Sequence, residues 1–191
     1  MAHFTIIGTG NMANAIGGVL ADGGSSVSYL SHEQVGSAAL EGDVVVLAVP
    51  HPAVDGILDA YGDQLSGKTI IDITNPLNFE TFDSLVVPAG SSKAAEIQAR
   101  VPGARVLKAF NTNFAGTLVS KQVGGEPTTV LIAGDDTTAK QVLSGALEAG
   151  GVKVIDAGAL SRAHELEAIG FLQITLAAAE KISWTGGFAI V

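Results

Sequence analysis

Short apolar runs alternate along the chain with stretches in which apolar residues recur at helical spacing. Near-continuous runs such as residues 43–49 are typical of strands buried on both faces of a parallel sheet. The predicted strands are residues 3–7, 27–30, 43–49, 68–73, 105–110, 128–133 and 152–155. Strand and helix alternate without a linker or a repeat. This predicts an α/β fold with one doubly wound, mostly parallel sheet of the Rossmann type, in a single domain of residues 1–191.

Helices are predicted where apolar residues such as Met12, Ile16 and Val19 share one helical face. The predicted helices are residues 12–22, 51–65, 91–100, 135–149 and about 160–182, with a short turn in 33–41. Residues 75–90 are predicted to form a long loop, and loops of that length are often functional. The last helix is apolar around much of its circumference, so it should pack on the sheet or on a second subunit. We therefore expect a homodimer.

The first predicted strand runs into a glycine-rich turn, residues 8–13, with the pattern G-x-G-x-x-A. In a strand–turn–helix context this pattern binds the diphosphate of a dinucleotide: Gly8 allows the tight turn, Gly10 lets the backbone approach the phosphates, and Ala13 lets the helix pack closely. The free N–H groups at the helix start would face the anion. The alternative is a glycine turn that only packs. The candidate binding residues here are Gly8, Thr9, Gly10, Asn11 and Met12.

The end of the second strand indicates which dinucleotide is bound. NAD sites place an acid there, which bonds the ribose 2′-hydroxyl. Residues 28–32 hold no acid, and Ser31 and His32 could instead donate hydrogen bonds to a 2′-phosphate. The sequence therefore favours NADP and predicts no carboxylate at this corner. Ser31 could also cap the turn that follows, and the two roles are compatible.

Charge and composition narrow the choice of partners. With 19 acidic and 10 basic residues the net charge is -9, which would repel nucleic acid. There is no cysteine, no basic leader and no apolar stretch of membrane-spanning length, so we expect a cytoplasmic protein with no membrane partner. The four histidines show no metal-ligand spacing, so we expect no metal site.

Several candidate residues lie at or just after the ends of predicted strands, where ligands bind in open parallel sheets. They include Val49, Pro50, Asn75, Pro76 and Asn111. An asparagine side chain there could both donate to and accept from a carboxamide. The alternative is that both asparagines only form turns.

Five segments in this order resemble the deazaflavin (coenzyme F420)-dependent NADP oxidoreductases. The same segments are similar to the NADPH-oxidising domain of the six-transmembrane ferric reductases. They are HFTIIGTGNMANAI at 3–16, DVVVLAVPHPAV at 43–54, DITNPL at 72–77, KAFNT at 108–112 and DAG at 156–158. The resemblance implies hydride transfer between NADP(H) and a deazaflavin or flavin-type acceptor, which would be a small-molecule partner.

The resemblance also implies roles for individual residues. The diphosphate of NADP would lie on residues 9–12, and its 2′-phosphate would lie beside Ser31 and His32. The cleft and the adenosine side would be lined by Ala48, Val49, Pro50, His51 and Val54, and the nicotinamide by Asn75, Pro76, Ala109 and Asn111. His32 stands where the family has an arginine, and the segment before the third strand is short.

Hydride transfer between two bound rings needs little acid–base help, so we assign no catalytic residue. His51 could donate to the acceptor, or it could simply begin a helix between two prolines. Two other functions are compatible with the sequence. One is a pyrroline-carboxylate-reductase-like enzyme, because the opening motif is shared with that family. The other is a dinucleotide-binding sensor without turnover.

Overall fold

A computed structural model describes residues 2–191, so Met1 of the predicted domain lies outside the described residues. Its main element is a seven-stranded sheet in the order β2-β1-β3-β4-β5-β8-β9, with a separate two-stranded hairpin of β6 and β7. The strands are β1 His3–Ile7, β2 Ser26–Leu30, β3 Val44–Leu47, β4 Thr69–Asp72, β5 Arg105–Ala109, β6 Gln122–Val123, β7 Glu126–Pro127, β8 Thr129–Gly134 and β9 Lys153–Gly158.

Within the described residues, six α-helices cover the two faces of the sheet. They are α1 Asn11–Asp22, α2 Val54–Tyr61, α3 Lys93–Arg100, α4 Ala115–Ser120, α5 Thr137–Ala149 and α6 Ala163–Ala178. In residues 2–191 no helix is both long enough and apolar enough to cross a bilayer.

The buried strands explain why the sheet is covered on both sides. In β3, Val44 and Val46 point into the core under α1, α4 and α5, while Val45 and Leu47 point into the core under α2 and α3. Successive side chains of a strand face opposite sides, so a strand of four apolar residues fills both cores. The predicted doubly wound, mostly parallel α/β sheet is confirmed.

The strand order creates a crevice between β1 and β3. From β1 the chain passes through α1 to β2 on one side, whereas from β3 it passes to β4 on the other. The loops after these two neighbouring strands therefore diverge, and ligands of open α/β sheets bind at such a switch point.

The second half of the chain departs from the predicted pattern. Strand β8 runs antiparallel to β5, because the chain returns through α4 and the β6–β7 hairpin and no full crossover connects the two strands. Neither α4 nor the hairpin was predicted, because both are too short for a periodic signal. The last helix is shorter than predicted and is preceded by a single 3₁₀ turn, Leu160–Arg162.

Candidate functional site

The glycine turn, residues 8–13, is held between the ends of β2 and β3. Gly8 has φ +126°, a conformation that favours glycine, and its N–H donates to Leu30 O at 2.9 Å. A Cβ on Gly8 would lie 2.2 Å from the carbonyl oxygen of Ala48. The turn therefore needs glycine at this position for two separate reasons.

Helix α1 begins at this turn with open backbone donors. Asn14 N–H makes the first helical bond, to Gly10 O at 3.0 Å, so the preceding N–H groups of the first turn have no helical partner. In this described helix no side chain caps the start and no acid lies in the first turn. A Cβ on Gly10 would meet nothing within 4 Å. The helix start is thus an open site for an anion such as a diphosphate.

The serine corner, residues 31–34, follows β2 and contains a carboxylate that the sequence analysis did not expect. Ser31 Oγ donates to Glu33 Oε2 at 2.9 Å, and Ser31 N–H donates to Gln34 Oε1 at 2.8 Å. The prediction that no carboxylate lies at this corner is wrong, because Glu33 folds back from two residues along the chain. Ser31 is the N-cap residue of the short 3₁₀ turn His32–Gln34, which was one of its two predicted roles.

A cavity of about 360 Å³ lies between the glycine turn and the ends of β3 and β4. It is the crevice that the strand order creates, and we call it the cleft. Among the predicted residues, it is lined by Gly10, Asn11, Met12, Ala48, Val49, Pro50, His51 and Asn75. Residues from three separate segments of the sequence therefore meet at one edge of the sheet.

His51 lines the cleft and begins a 3₁₀ turn, as expected for a residue between two prolines. Burial, and next the positive charge of Lys93, lower the pKa of His51 below its ordinary value. Its buried Nδ1 has no hydrogen-bond partner among the residues described. Both effects favour the neutral form of the His51 ring. In residues 2–191, no group of three or more histidine or acidic side chains could hold a metal ion.

Asn75 and Asn111 are bonded to each other across the ends of β4 and β5. Asn111 Nδ2 donates to Asn75 Oδ1 at 2.9 Å and to Leu166 O at 2.7 Å, and Asn75 Nδ2 donates to Asn111 O at 2.8 Å. Both hydrogens of the Asn111 amide are used, while its buried Oδ1 has no partner within residues 2–191. Asn111 can therefore only accept a further hydrogen bond, rather than both donate and accept as predicted.

Two backbone features bring this asparagine pair together. Phe110, fully buried, has φ 64°, and it turns the chain at the end of β5. Gly170 of α6 lies directly over the pair, since a Cβ there would come within 2.1 Å of Asn75 Oδ1. Neither feature is visible in the sequence, where Phe110 was predicted to continue the strand.

A second cavity, of about 500 Å³, adjoins the cleft, and six residues line both: Asn11, Met12, Ile73, Asn75, Phe79 and Ile174. We call it the aromatic cavity, because four aromatic side chains line it. Two of these, Phe114 and Trp184, pack against each other with ring centroids 4.9 Å apart. The aromatic residues that line it are Phe79, Phe110, Phe114 and Trp184.

The sequence analysis missed most of this second cavity. The one available signal was that phenylalanines lie in the segments that follow two neighbouring strands, β4 and β5. Asn113 also lines the cavity and was not predicted; its Nδ2 donates to Thr129 O at 3.0 Å.

A buried ion cluster supports the loops that carry Asn75 and Asn111. Lys108 Nζ donates to Asp72 Oδ2 and to Glu167 Oε1, both at 2.8 Å, and all three side chains are fully buried. Glu167 also accepts the backbone N–H of Lys93 at the start of α3. Burial raises the pKa of the Glu167 carboxyl, against the pull of Lys108. The cluster ties β4, β5, α3 and α6 together.

Some predicted residues lie outside the two cavities. The side chains of Val54 and Ala109 are fully buried in the hydrophobic cores, and Pro76 is also buried. They shape the loops rather than line a cavity. Ser31 and His32 lie at the serine corner, and Gly8 and Thr9 lie within the glycine turn, next to the cleft.

Comparisons with known proteins find relatives of similar sequence and fold. The sequence profile of the family described as "NADP oxidoreductase coenzyme F420-dependent" matches residues 30–76. An F420-dependent NADP reductase from Methanocaldococcus jannaschii is 31% identical over 153 residues, which are 78% of this chain and 68% of that protein. The rat metalloreductase STEAP3 is 29% identical over 178 residues, 86% of this chain and 35% of that protein.

A solved structure extends the similarity to the whole chain. A protein from Arthrobacter sp. FB24, described as a candidate F420-dependent NADP reductase, matches with a TM-score of 0.84 and 25% identity over 100% of both chains. The chain spans about two thirds of the length of the F420-dependent reductases and about one third of the length of the metalloreductase. The resemblance found in the sequence is confirmed, and the chain belongs to the family of F420-dependent NADP oxidoreductases.

Proposed function

We propose that this chain transfers a hydride between NADP(H) and a deazaflavin of the F420 type. The observation that carries the proposal is that the cleft, which starts at the open end of α1, adjoins the aromatic cavity and shares residues with it. Two molecules bound in these cavities would therefore lie side by side, in contact where the cavities adjoin. This is the arrangement that direct hydride transfer requires.

The glycine turn would hold the diphosphate through backbone N–H groups. The chain is acidic overall, so local donors at the start of α1 must attract the phosphates. Gly10 leaves room for this approach, since nothing lies within 4 Å of the place its Cβ would take. Ser31 and His32 would lie beside the 2′-phosphate, and Ala48 to His51 would form the opposite wall of the cleft.

The asparagine pair would position the nicotinamide. Asn111 Oδ1 is a fixed acceptor, because both hydrogens of the same amide are already bonded. A carboxamide NH₂ is a donor that fits it. The bond from Asn111 to Leu166 O of α6 and the bonds between the two asparagines restrain both side chains, which favours positioning over a simple turn-forming role.

The aromatic cavity would hold the second ring. Flat aromatic walls from Phe79, Phe114 and Trp184 suit a planar, fused-ring acceptor. When bound, NADPH supplies a hydride, and the acceptor takes up one proton from solution to complete its reduction. The chain's residues bind, align and shield the two rings, so no catalytic base is assigned.

Steady-state oxidation of NADPH by the purified chain tests this proposal. We expect turnover with F420, less with free flavins and none with pyrroline carboxylate. Turnover with pyrroline carboxylate alone would favour the alternative enzyme. Nucleotide binding without turnover on any acceptor would favour a sensor, and either result would contradict the proposal.

We also propose a cytoplasmic homodimer. The surface of α6, β9 and the C-terminal tail exposes Ile155, Leu172 and Phe188 by 41%, 51% and 47%. The tail itself folds back, since Phe188 N–H donates to Gln173 Oε1, which leaves the outer face of α6 for a partner. Gel filtration should give a dimer, and Leu172→Glu should shift it towards monomer. A monomer at high concentration would contradict the dimer.

Cell fractionation would check the proposed cytoplasmic location.

A further inference from the structure

The serine corner carries a charge that bears on coenzyme choice. Ser31 directly follows Leu30, the last residue of β2, whose carbonyl is bonded to Gly8 of the glycine turn. Ser31 therefore occupies the position at which NAD-binding sites place an acid for the ribose 2′-hydroxyl.

A carboxylate reaches this position from the next turn of the chain. Ser31 Oγ donates to Glu33 Oε2 at 2.9 Å, so the Glu33 carboxylate lies one hydrogen bond from the place of that acid. Gln34 fixes the same turn by accepting from the Ser31 N–H. Within residues 2–191 the Glu33 carboxylate has no ion pair, and residues 28–35 contain no lysine or arginine that would offset its charge.

We propose that Glu33 is a specificity-determining residue that lowers the preference for NADP and lets the chain bind NADH as well. This rests on the proposed function, because it assumes that the dinucleotide lies on the glycine turn with its ribose at the serine corner. The exposed carboxylate repels a 2′-phosphate, whereas a 2′-hydroxyl can donate to it. His32 is the one side chain of this corner that can carry a compensating positive charge, and only when it is protonated.

The size of the effect follows from Coulomb's law. Two unit charges about 4 Å apart in water interact by about 1 kcal/mol, which corresponds to a change in affinity of about fivefold. Because Glu33 is exposed, salt should weaken this repulsion. A merely structural role of Glu33 would not make the effect of Glu33→Gln on the NADPH-to-NADH ratio depend on salt.

Dissociation constants of NADPH and NADH for the full chain, measured by calorimetry, test the proposal. We expect Glu33→Gln to raise the ratio of the NADH constant to the NADPH constant by about fivefold at low salt, and by less at high salt. Glu33→Asp keeps the charge and should leave a ratio close to the natural one. Glu148→Gln, which removes an exposed carboxylate from the far end of α5, is the matched control and should leave the ratio unchanged.

A ratio that stays within about twofold in Glu33→Gln, with both nucleotides still bound, would overturn the role of Glu33 and leave the proposed function intact. It would mean that Ser31 releases Glu33 and donates to the phosphate. Absence of binding of either nucleotide to the unaltered chain would overturn the proposed function as well.

Discussion

The two ends of the functional site are built in different ways. The dinucleotide end, made of the glycine turn and the serine corner, is shaped by main-chain conformation and by side-chain bonds between residues two or three positions apart. The end that contains the asparagine pair and the aromatic cavity depends on side-chain bonds between residues 36 to 61 positions apart. The first end is therefore encoded locally, whereas the second forms only when the sheet and α6 are in place.

This difference has a physical consequence. A backbone site needs glycine at certain positions, and it tolerates many changes elsewhere in the chain. A site held by buried polar bonds is sensitive to any change that leaves one partner unpaired. Substitutions should therefore separate the two ends, and the largest effects on folding should come from the cluster beneath the asparagine pair.

Replacing Lys108 should have the largest effect. Lys108→Met would leave Asp72 and Glu167 as buried carboxylates without their cation, and we expect the free energy of unfolding to fall by about 3–5 kcal/mol. Lys121→Met is the control, because Lys121 pairs with Asp22 at the surface, and it should change stability by less than about 1 kcal/mol. Urea unfolding measures both; equal effects would contradict a structural role for the cluster.

Gly170→Ala should come next. Its Cβ would lie 2.1 Å from Asn75 Oδ1, so the asparagine pair or α6 must shift, at about 1–3 kcal/mol of stability. Turnover with the acceptor should fall, while NADPH affinity should change little. Gly145→Ala, in α5 with nothing within 4 Å of its Cβ, should instead stabilise by about 0.5–1 kcal/mol. An unchanged turnover in Gly170→Ala would count against the positioning role of the pair.

Gly10→Ala should act on the other end without affecting the fold. Its Cβ meets no atom of the chain, so stability should change by less than about 1 kcal/mol. NADPH affinity should fall by about tenfold or more, since the added methyl takes up the space through which the phosphates approach. Gly18→Ala, an equally open glycine of α1, should bind NADPH normally. Calorimetric titration compares the two, and equal affinities would contradict a diphosphate at this turn.

The smallest effect concerns pH. Burial raises the pKa of the Glu167 carboxyl above its ordinary value of 4.5, so its contribution to stability is complete below that pH and is lost as pH rises through the raised pKa. The stability of the natural chain relative to Glu167→Gln should therefore fall as pH rises above the ordinary value of 4.5.

Other titrating groups should not obscure this difference. Lys93 and Lys140 lower the pKa values of Asp55 and Asp156, so the stabilisation from these two groups is lost only below the ordinary aspartate value of 3.8. His51, whose pKa is also lowered, loses stabilisation on the acidic side of 6.5 in both proteins and cancels in the comparison. A difference that rises with pH in urea unfolding would contradict the assigned direction.

The same contrast explains what could be predicted from the sequence. The sheet, five of the helices and the glycine turn follow from periodicity and from glycine spacing, which are local signals. The bond from Ser31 to Glu33 depends on a side-chain rotamer in an exposed turn, so the carboxylate at this corner was missed. The backbone turn at Phe110 and the approach of Gly170 result from packing between distant elements, and no local pattern encodes them.

Transfer of an isotope tests the central claim most directly. NADPH carrying deuterium in place of both hydrogens at C4 of its nicotinamide ring would be incubated with the chain and F420, and the reduced F420 would be analysed by mass spectrometry. We expect to find the deuterium in the reduced F420, with no loss of the label to water. The reason is that the two cavities adjoin, which would place the two rings in contact. Reduced F420 without the label, or no reduction although both molecules bind, would contradict direct transfer at this site.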